Sequence, residues 1–193
     1  PGQRVRHAWF PLTGFLSLST ALGPIAPVEV DLVGNEGMLG AALVLGIEEP
    51  NQRALVLEAG TALRIPAAAL RRELQGSRRL GRVLHRYIHV LMMQFVLNAA
   101  CVARHKIEQR LARRLLMSQD RARSETLNIT QSSLANMLGV RRVGVTEAAG
   151  GLQRRGLIRY SRGRLAVVDR AGLERAACSC YRAACSTHQR WLG

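Results

Sequence analysis

The chain has 193 residues, 48% of them apolar and 4% aromatic, enough to bury the core of one large or two small domains. It carries 28 basic and 13 acidic residues, a net charge of +15, and offers no nucleophile elbow, P-loop or paired-carboxylate motif, so an enzyme is not expected. Four cysteines, three of them bunched near the C-terminus, do not make a disulfide framework; with no secretory leader pattern, a reducing cytoplasm fits best and no membrane association is expected.

The charge is uneven. Residues 1–75 hold 6 basic and 7 acidic side chains, a net −1, whereas residues 76–193 hold 22 and 6, a net +16. An excess confined to one part of a chain is the footprint of a polyanionic partner, because each neutralised phosphate releases condensed counterions. Of the basic residues 27 are Arg and only Lys106 is Lys. A compositional bias explains that preference, but not the near-neutral first part.

Residues 1–77 read as a β-roll. The chain begins at Pro1 and runs directly into strand-like sequence, which reads as a fragment boundary. Arg4 to Phe10 loosely alternates, Gly14 to Ser19 does so more clearly, and Val28 to Val33 alternates cleanly; Arg53 to Leu57 and Ala62 to Ile65 add two strands. Pro11, Gly14, Gly23-Pro24, Gly34, Gly37, Gly60 and Pro66 punctuate them, and Ala67 to Leu74 reads as a short helix. Short strands at this spacing predict a roll or barrel rather than a doubly wound sheet.

Residues 78–105 form the longest helical pattern. Ile88 to Val102 is strongly apolar, yet His89, Gln94 and Asn98 interrupt it and basic residues flank it, so the segment is too short and too polar for a comfortable membrane span. Leu84, Ile88, Leu91, Phe95, Asn98 and Val102 are spaced 4, 3, 4, 3, 4, as in a coiled-coil seam, where Asn98 would fix register and partner number. The plainer alternative packs this stripe on the β-domain. The all-round apolarity favours a dimer helix with one face on its own domain and another on its twin.

Residues 106–193 carry a winged helix-turn-helix pattern. Ile107, Leu111, Leu115 and Leu116 give a helix with a basic outer face of Arg110, Arg113 and Arg114, followed by a polar loop from Gln119 to Thr126. Thr130 sits where an N-cap is wanted, ahead of a helix from Gln131 to Leu138. Gly139 supplies the turn, and Arg141 or Arg142 opens a recognition helix reaching about Leu152. Gly144 reads as a close-approach position, and Gly150-Gly151 as a soft spot. Tyr160 to Val167 is the wing, turning at Gly163. Such a module places its second helix in a DNA major groove.

The order of β-roll, long helix and basic winged helix-turn-helix defines an α+β fold. With VGNEGMLG, HKIEQRLARRLLM and NITQSSLANMLGVRRVGVTEAAGGLQRRGLIRY, it resembles the Crp/Fnr family of bacterial transcription regulators over essentially the whole chain. Only the N-terminal helix and first strand usual in such proteins are missing. The resemblance implies a cyclic-nucleotide-binding-like sensor, a homodimer on a two-fold symmetric double-stranded operator, RNA polymerase as a partner, and DNA heads reoriented through the long helix. It implies no cofactor. Thr130 and Gln131 match the family's phosphate-contacting helix start, and Gly139-Val140-Arg141-Arg142 its turn. The family's usual Glu falls at Val143 and its usual Arg at Glu147, so the operator is not to be borrowed from relatives. Arg141, Arg142 and Thr146 are expected to contact bases or backbone, Val143 a thymine methyl, and Arg162 and Arg164 phosphates.

The sensor departs further. The family's ribose-binding segment falls near Gly40-Ala41-Ala42 without its Glu, and its phosphate-binding pair falls at Arg53-Ala54 without the hydroxyl. The adenine-reading hydroxyls fall at about Phe95 and Val96. Gly40 and Arg53 are what remain of that site, and one Arg is a weak anchor for a cyclic phosphate. Cyclic AMP is therefore not the expected effector, whose identity stays open.

Cys178, Cys180 and Cys185 read as structural cysteines on a C-terminal helix, with Cys178 and Cys185 sharing a face and Cys180 pointing elsewhere. Cys101 reads as core. His7, His85, His89, His105 and His188 show no metal-ligand spacing, so no metal site is expected. Two other readings stand beside the regulator: an interaction protein whose winged helix no longer reads DNA, and a metal- or redox-responsive regulator using the C-terminal cysteines.

Overall fold

The computed structural model describes residues 4–20, 27–122, 124 and 126–193; the Gly23-Pro24 breaker lies outside them. Two small antiparallel sheets build the N-terminal domain. β1 (His7–Pro11) pairs with β5 (Ala62–Pro66), and β2 (Phe15–Thr20) lies between β3 (Val28–Val33) and β4 (Arg53–Glu58). The turn into β2 demands glycine: Gly14 has φ +69°, and a Cβ there would lie 2.5 Å from the Glu58 carbonyl oxygen. A 3-10 turn, Ala41–Leu45, which periodicity does not reveal, closes the roll beside α1 (Ala67–Gly76). Ala8, Met38, Leu43, Leu70, Leu84 and Tyr87 make its core.

α2 (Arg78–Arg104) begins at Ser77, whose hydroxyl accepts from the Leu80 N–H at 3.2 Å. At 1.5 Å per residue it is roughly 40 Å long. One face rests on the roll. Tyr87 fixes it there by donating to the Met38 carbonyl and accepting from the Met38 N–H. Gly37 permits that approach, since a Cβ would lie 2.5 Å from the Tyr87 oxygen. A second face carries α7 (Cys180–Leu192), which runs back along α2 so that Trp191 meets His89 edge-on.

The remaining face is apolar and open, with Met92, Val96 and Val102 about 60% exposed. An 18-residue window of α2 has mean hydropathy 1.3 with 11% of it buried, so by length and composition alone the helix could cross a membrane.

The expected seam divides between these faces. Leu84 is buried in its own domain, Ile88, Leu91 and Phe95 are half-buried, and Val102 is exposed. Asn98 is not free to set the register of a partner. Its Nδ2 donates to the Val30 carbonyl on β3 at 2.6 Å, and its Oδ1 accepts from Arg113 at 2.6 Å.

α3 (Ile107–Ala122) runs through the start of the expected polar loop. Its arginines correct the expectation of a basic outer face: Arg110, Arg113 and Arg114 are all buried. The helix lies between the head and the β3 side of the roll, so this face meets carboxylates and carbonyls instead of water. Arg110 donates to the Leu138 carbonyl, Arg113 holds Asn98, and Arg114 meets Glu29 of β3. Two turns on, Arg121 pairs with Glu36 at 2.8 Å. Gly34 lets Arg121 pass, because a Cβ there would lie 2.9 Å from its Cγ. Part of the +16 is therefore neutralised inside the protein.

The head is completed by β6 (Thr126–Asn128), α4 (Gln131–Leu138), α5 (Arg142–Arg154), β7 (Ile158–Ser161), β8 (Arg164–Val167) and α6 (Arg170–Ala176). Its sheet order is β6-β8-β7. Leu111, Leu115, Leu134, Val145, Leu152 and Leu165 are fully buried in its core, which reaches Phe15 and Leu32 of the roll. The same packed core therefore runs from the roll into the head.

Candidate nucleic-acid interface

The interface is built from a turn outward. Thr130 caps α4 by accepting from the Ser133 N–H at 3.1 Å. Gly139, at φ +62°, ends α4 in the left-handed conformation that an L side chain rarely adopts. The chain then re-enters a helix at Arg142, with Arg141 as the extended N-cap. Val145, Ala148, Ala149 and Leu152 bury one face of α5 against the core. By helical geometry the opposite face holds Arg142, Val143, Thr146 and Glu147, all exposed.

One hydrogen bond sets the relation of the helices. Thr146 Oγ1 donates to Gln131 Oε1 at 2.9 Å and lies 3.1 Å from the Arg142 carbonyl. The start of α4 and the first turn of α5 thus share one surface. Val143 is 67% exposed, so no packing role accounts for it. The glycines of α5 serve its approach to α3. A Cβ at Gly144 would meet Ile107 at 2.9 Å, and one at Gly151 would meet the Glu108 carboxylate at 2.4 Å. Gly151 is therefore a close-approach position as well, which corrects its reading as a soft spot; the helix continues past it to Arg154.

The wing is anchored to the same surface. The Ile129 N–H donates to the Gly163 carbonyl at 2.8 Å, and Tyr160 donates its hydroxyl to the Ile129 carbonyl at 2.9 Å. Arg162 and Gly163 both have positive φ, 49° and 78°, as a two-residue hairpin of the mirror-image type requires. Arg162 and Arg164 are exposed beside the Thr130 cap. Thr130, Gln131, Arg141, Arg142, Val143, Thr146, Arg162 and Arg164 are thus gathered around one exposed face. The sequence signal did not single out Tyr160, which fixes the wing.

A cavity of about 490 Å³ lies between the roll and α2, lined by Gly40, Leu39, Gln52, Ala54, Leu91 and Phe95 among others. Gly40, at φ +89°, opens the 3-10 turn on its wall. Arg53 does not line it. The strand alternates, so Gln52 and Ala54 face the cavity while Arg53 is exposed on the other side of β4. The two remnants of a cyclic-nucleotide site therefore do not converge.

Among the cysteines, the expected helical faces fail. Cys178 precedes α7 on extended backbone at Ala177, so it turns inward with Cys180, while Cys185 alone stays exposed. Cys101 from α2 joins the buried pair, and His105, the C-cap of α2, points its Nδ1 at Cys180.

Residues 109–176 match the family of Crp-like helix-turn-helix domains. Over the whole chain the fold matches solved regulators. A CRP-family transcriptional regulator from Thermus thermophilus is 20% identical with TM-score 0.72, covering 91% of this chain and 90% of that one. FixK2 from Bradyrhizobium japonicum is 13% identical with TM-score 0.76, covering 92% and 90%. A second regulator from Thermus thermophilus, of the CRP/FNR family, is 25% identical with TM-score 0.67, covering 92% and 90%. Comparison with curated protein sequences gave no match.

Proposed function

We propose that this chain, which has the fold of the Crp/Fnr transcription regulators and a Crp-like helix-turn-helix DNA-binding domain, is a sequence-specific regulator that grips its operator as a homodimer. The observation that carries the reading is the exposed first turn of α5. Arg141, Arg142, Val143 and Thr146 stand clear of all internal packing, flanked by the Thr130 cap and the wing arginines. In this reading Arg142 reads a base edge, Val143 meets a thymine methyl, and Arg162 and Arg164 hold phosphates.

The open face of α2 supports the second copy. Ile88, Met92, Phe95, Val96, Ala99 and Val102 fall on one side of the helix, and Met92, Val96 and Val102 are exposed in the single chain. Burying such a stripe against its twin removes it from water. The dimer seam is then rotated from the expected one, toward Met92 and Val96 and away from Leu84 and Asn98.

Reorientation of the heads acts through α3. Its arginines hold Glu29, Glu36 and Asn98 on the sensor side and the Leu138 carbonyl on the head side, so a shift of β3 moves the helix that carries α5. The apolar cavity beside Gly40 suits a largely apolar effector better than a cyclic nucleotide.

Two measurements test the reading. Duplex binding should weaken steeply with salt, as phosphate neutralisation requires. Sedimentation should give a dimer that Val96→Glu converts to a monomer. Salt-insensitive binding, or a wild-type monomer at all concentrations, would contradict it.

A further inference from the structure

Four side chains outside the DNA-binding face converge on one point. Cys101 lies in the last turn of α2, His105 caps that helix, Cys178 lies between α6 and α7, and Cys180 opens α7 after Ser179. Their ligand atoms all lie within 4.8 Å of one another. Cys101 Sγ is 3.4 Å from Cys178 Sγ, and Cys180 Sγ is 3.6 Å from His105 Nδ1. The three cysteines are buried and unpaired by disulfides.

Those spacings have a chemical meaning. Tetrahedral zinc holds sulfur at about 2.3 Å and imidazole nitrogen at about 2.0–2.1 Å, which sets neighbouring ligand atoms roughly 3.5–3.8 Å apart. Both measured edges agree with that within a few tenths of an ångström. An iron–sulfur cluster interposes several metal atoms and sulfides between its cysteines and needs a wider cage. Soft thiolates with one imidazole select zinc among abundant divalent ions, and four protein ligands leave no open position for catalysis.

Arg113 points to the same answer. It is buried, its Nε has no hydrogen-bond partner among the described residues, and it lines the same cleft as Cys101. Three thiolates and a divalent ion carry a net negative charge, which a buried guanidinium in the outer shell balances. Simple apolar packing of small cysteines would not aim an imidazole nitrogen at them.

We propose that Cys101, His105, Cys178 and Cys180 bind one structural zinc ion. The ion would tie the end of the long helix to the far side of the DNA-binding head. Because His105 stands at the joint between α2 and α3, the ion fixes the angle at which the head leaves the helix.

The test uses the full chain purified under reducing conditions, and its readouts are independent of DNA binding. Elemental analysis should find about one zinc per chain, and cobalt(II) substitution should give the intense visible bands of a tetrahedral thiolate site. Cys180→Ser and His105→Ala should lose the ion, while Cys185→Ser should keep it. If a variant fails to fold, thiol titration of the wild-type protein decides. Only Cys185 should react quickly until a chelator exposes the other three thiols. Absence of bound metal in the wild-type protein, an octahedral cobalt spectrum, or four equally reactive thiols without chelator would overturn the proposal.

Discussion

The guanidinium of Arg114, on the first helix of the head, donates from Nη2 to the carboxylate of Glu29, on strand β3 of the roll, at 2.8 Å. Their side chains are only 7% and 8% exposed. Two opposite charges removed from water across the boundary between roll and head hold that boundary in one arrangement, because either charge alone would be left without solvent or partner.

Breaking this pair from one side should therefore be costly. Glu29→Ala is expected to destabilise the protein by about 3–5 kcal/mol in urea unfolding, because Arg114 stays buried and uncompensated. Replacing both, as Glu29→Leu with Arg114→Met, should recover most of that loss. A single substitution that costs nothing would contradict the buried pairing.

Asp31 lies on the same strand, buried, with Oδ1 unpartnered. Burial lifts its pKa to about 7, against the opposing pull of Arg121 and the Leu32 N–H. In the unfolded chain this carboxyl ionises near pH 3.9. Between those values the folded protein holds a proton that the unfolded chain has released. The contribution to stability thus falls as pH rises from about 4 to about 7 and is flat above, a change on the order of a few kcal/mol. Asp31→Asn should remove that slope relative to the wild-type protein. Parallel stability curves for the two proteins between pH 4 and 7 would contradict this.

The arginines of the interface should separate by role. Arg142→Ala should relax discrimination at one operator position by about 1–3 kcal/mol. Arg164→Ala should instead weaken binding nearly equally across sequences and lower the salt slope by about 1. Competition titrations at two salt concentrations distinguish these outcomes. The roles would be refuted by an Arg164→Ala variant that alters base preference.

The glycines of α5 should behave differently from one another. At Gly150 a Cβ would lie 3.3 Å from the flexible end of Arg154, so Gly150→Ala should stabilise by up to about 1 kcal/mol through helix propensity. At Gly144 there is room for no more than a small adjustment of Ile107, so Gly144→Leu should destabilise by about 1–3 kcal/mol. Thermal melts that rank the two variants in the opposite order would show that α5 does not approach α3 this closely.

Local pattern revealed the elements, and long-range packing decided which of their faces are used. The clean alternation of Val28 to Val33 and the cap–turn–arginine order of Thr130, Gly139 and Arg142 are signals that neighbouring residues carry themselves, and each element is found in place. Arg110, Arg113 and Arg114 misled because a charged stripe on a helix normally faces water, and only the partners on α4, α2 and β3 make it internal. Asn98 misled in the same way: its hydrogen bonds go to Val30 and Arg113, 68 and 15 residues away. The convergence of Cys101 and His105 with Cys178 and Cys180 was invisible to spacing, since two segments 77 residues apart contribute the atoms. Arg53 was misplaced by one position of strand alternation.

Selection of bound duplexes from a random library, followed by affinity measurement on the selected sequence and a scrambled control, tests the central claim most directly. The protein should enrich a two-fold symmetric motif with half-sites about 10–10.5 base pairs apart, and bind it at least roughly 10³-fold more tightly than the control. Enrichment of no motif, with equal affinity for selected and scrambled duplex, would contradict it.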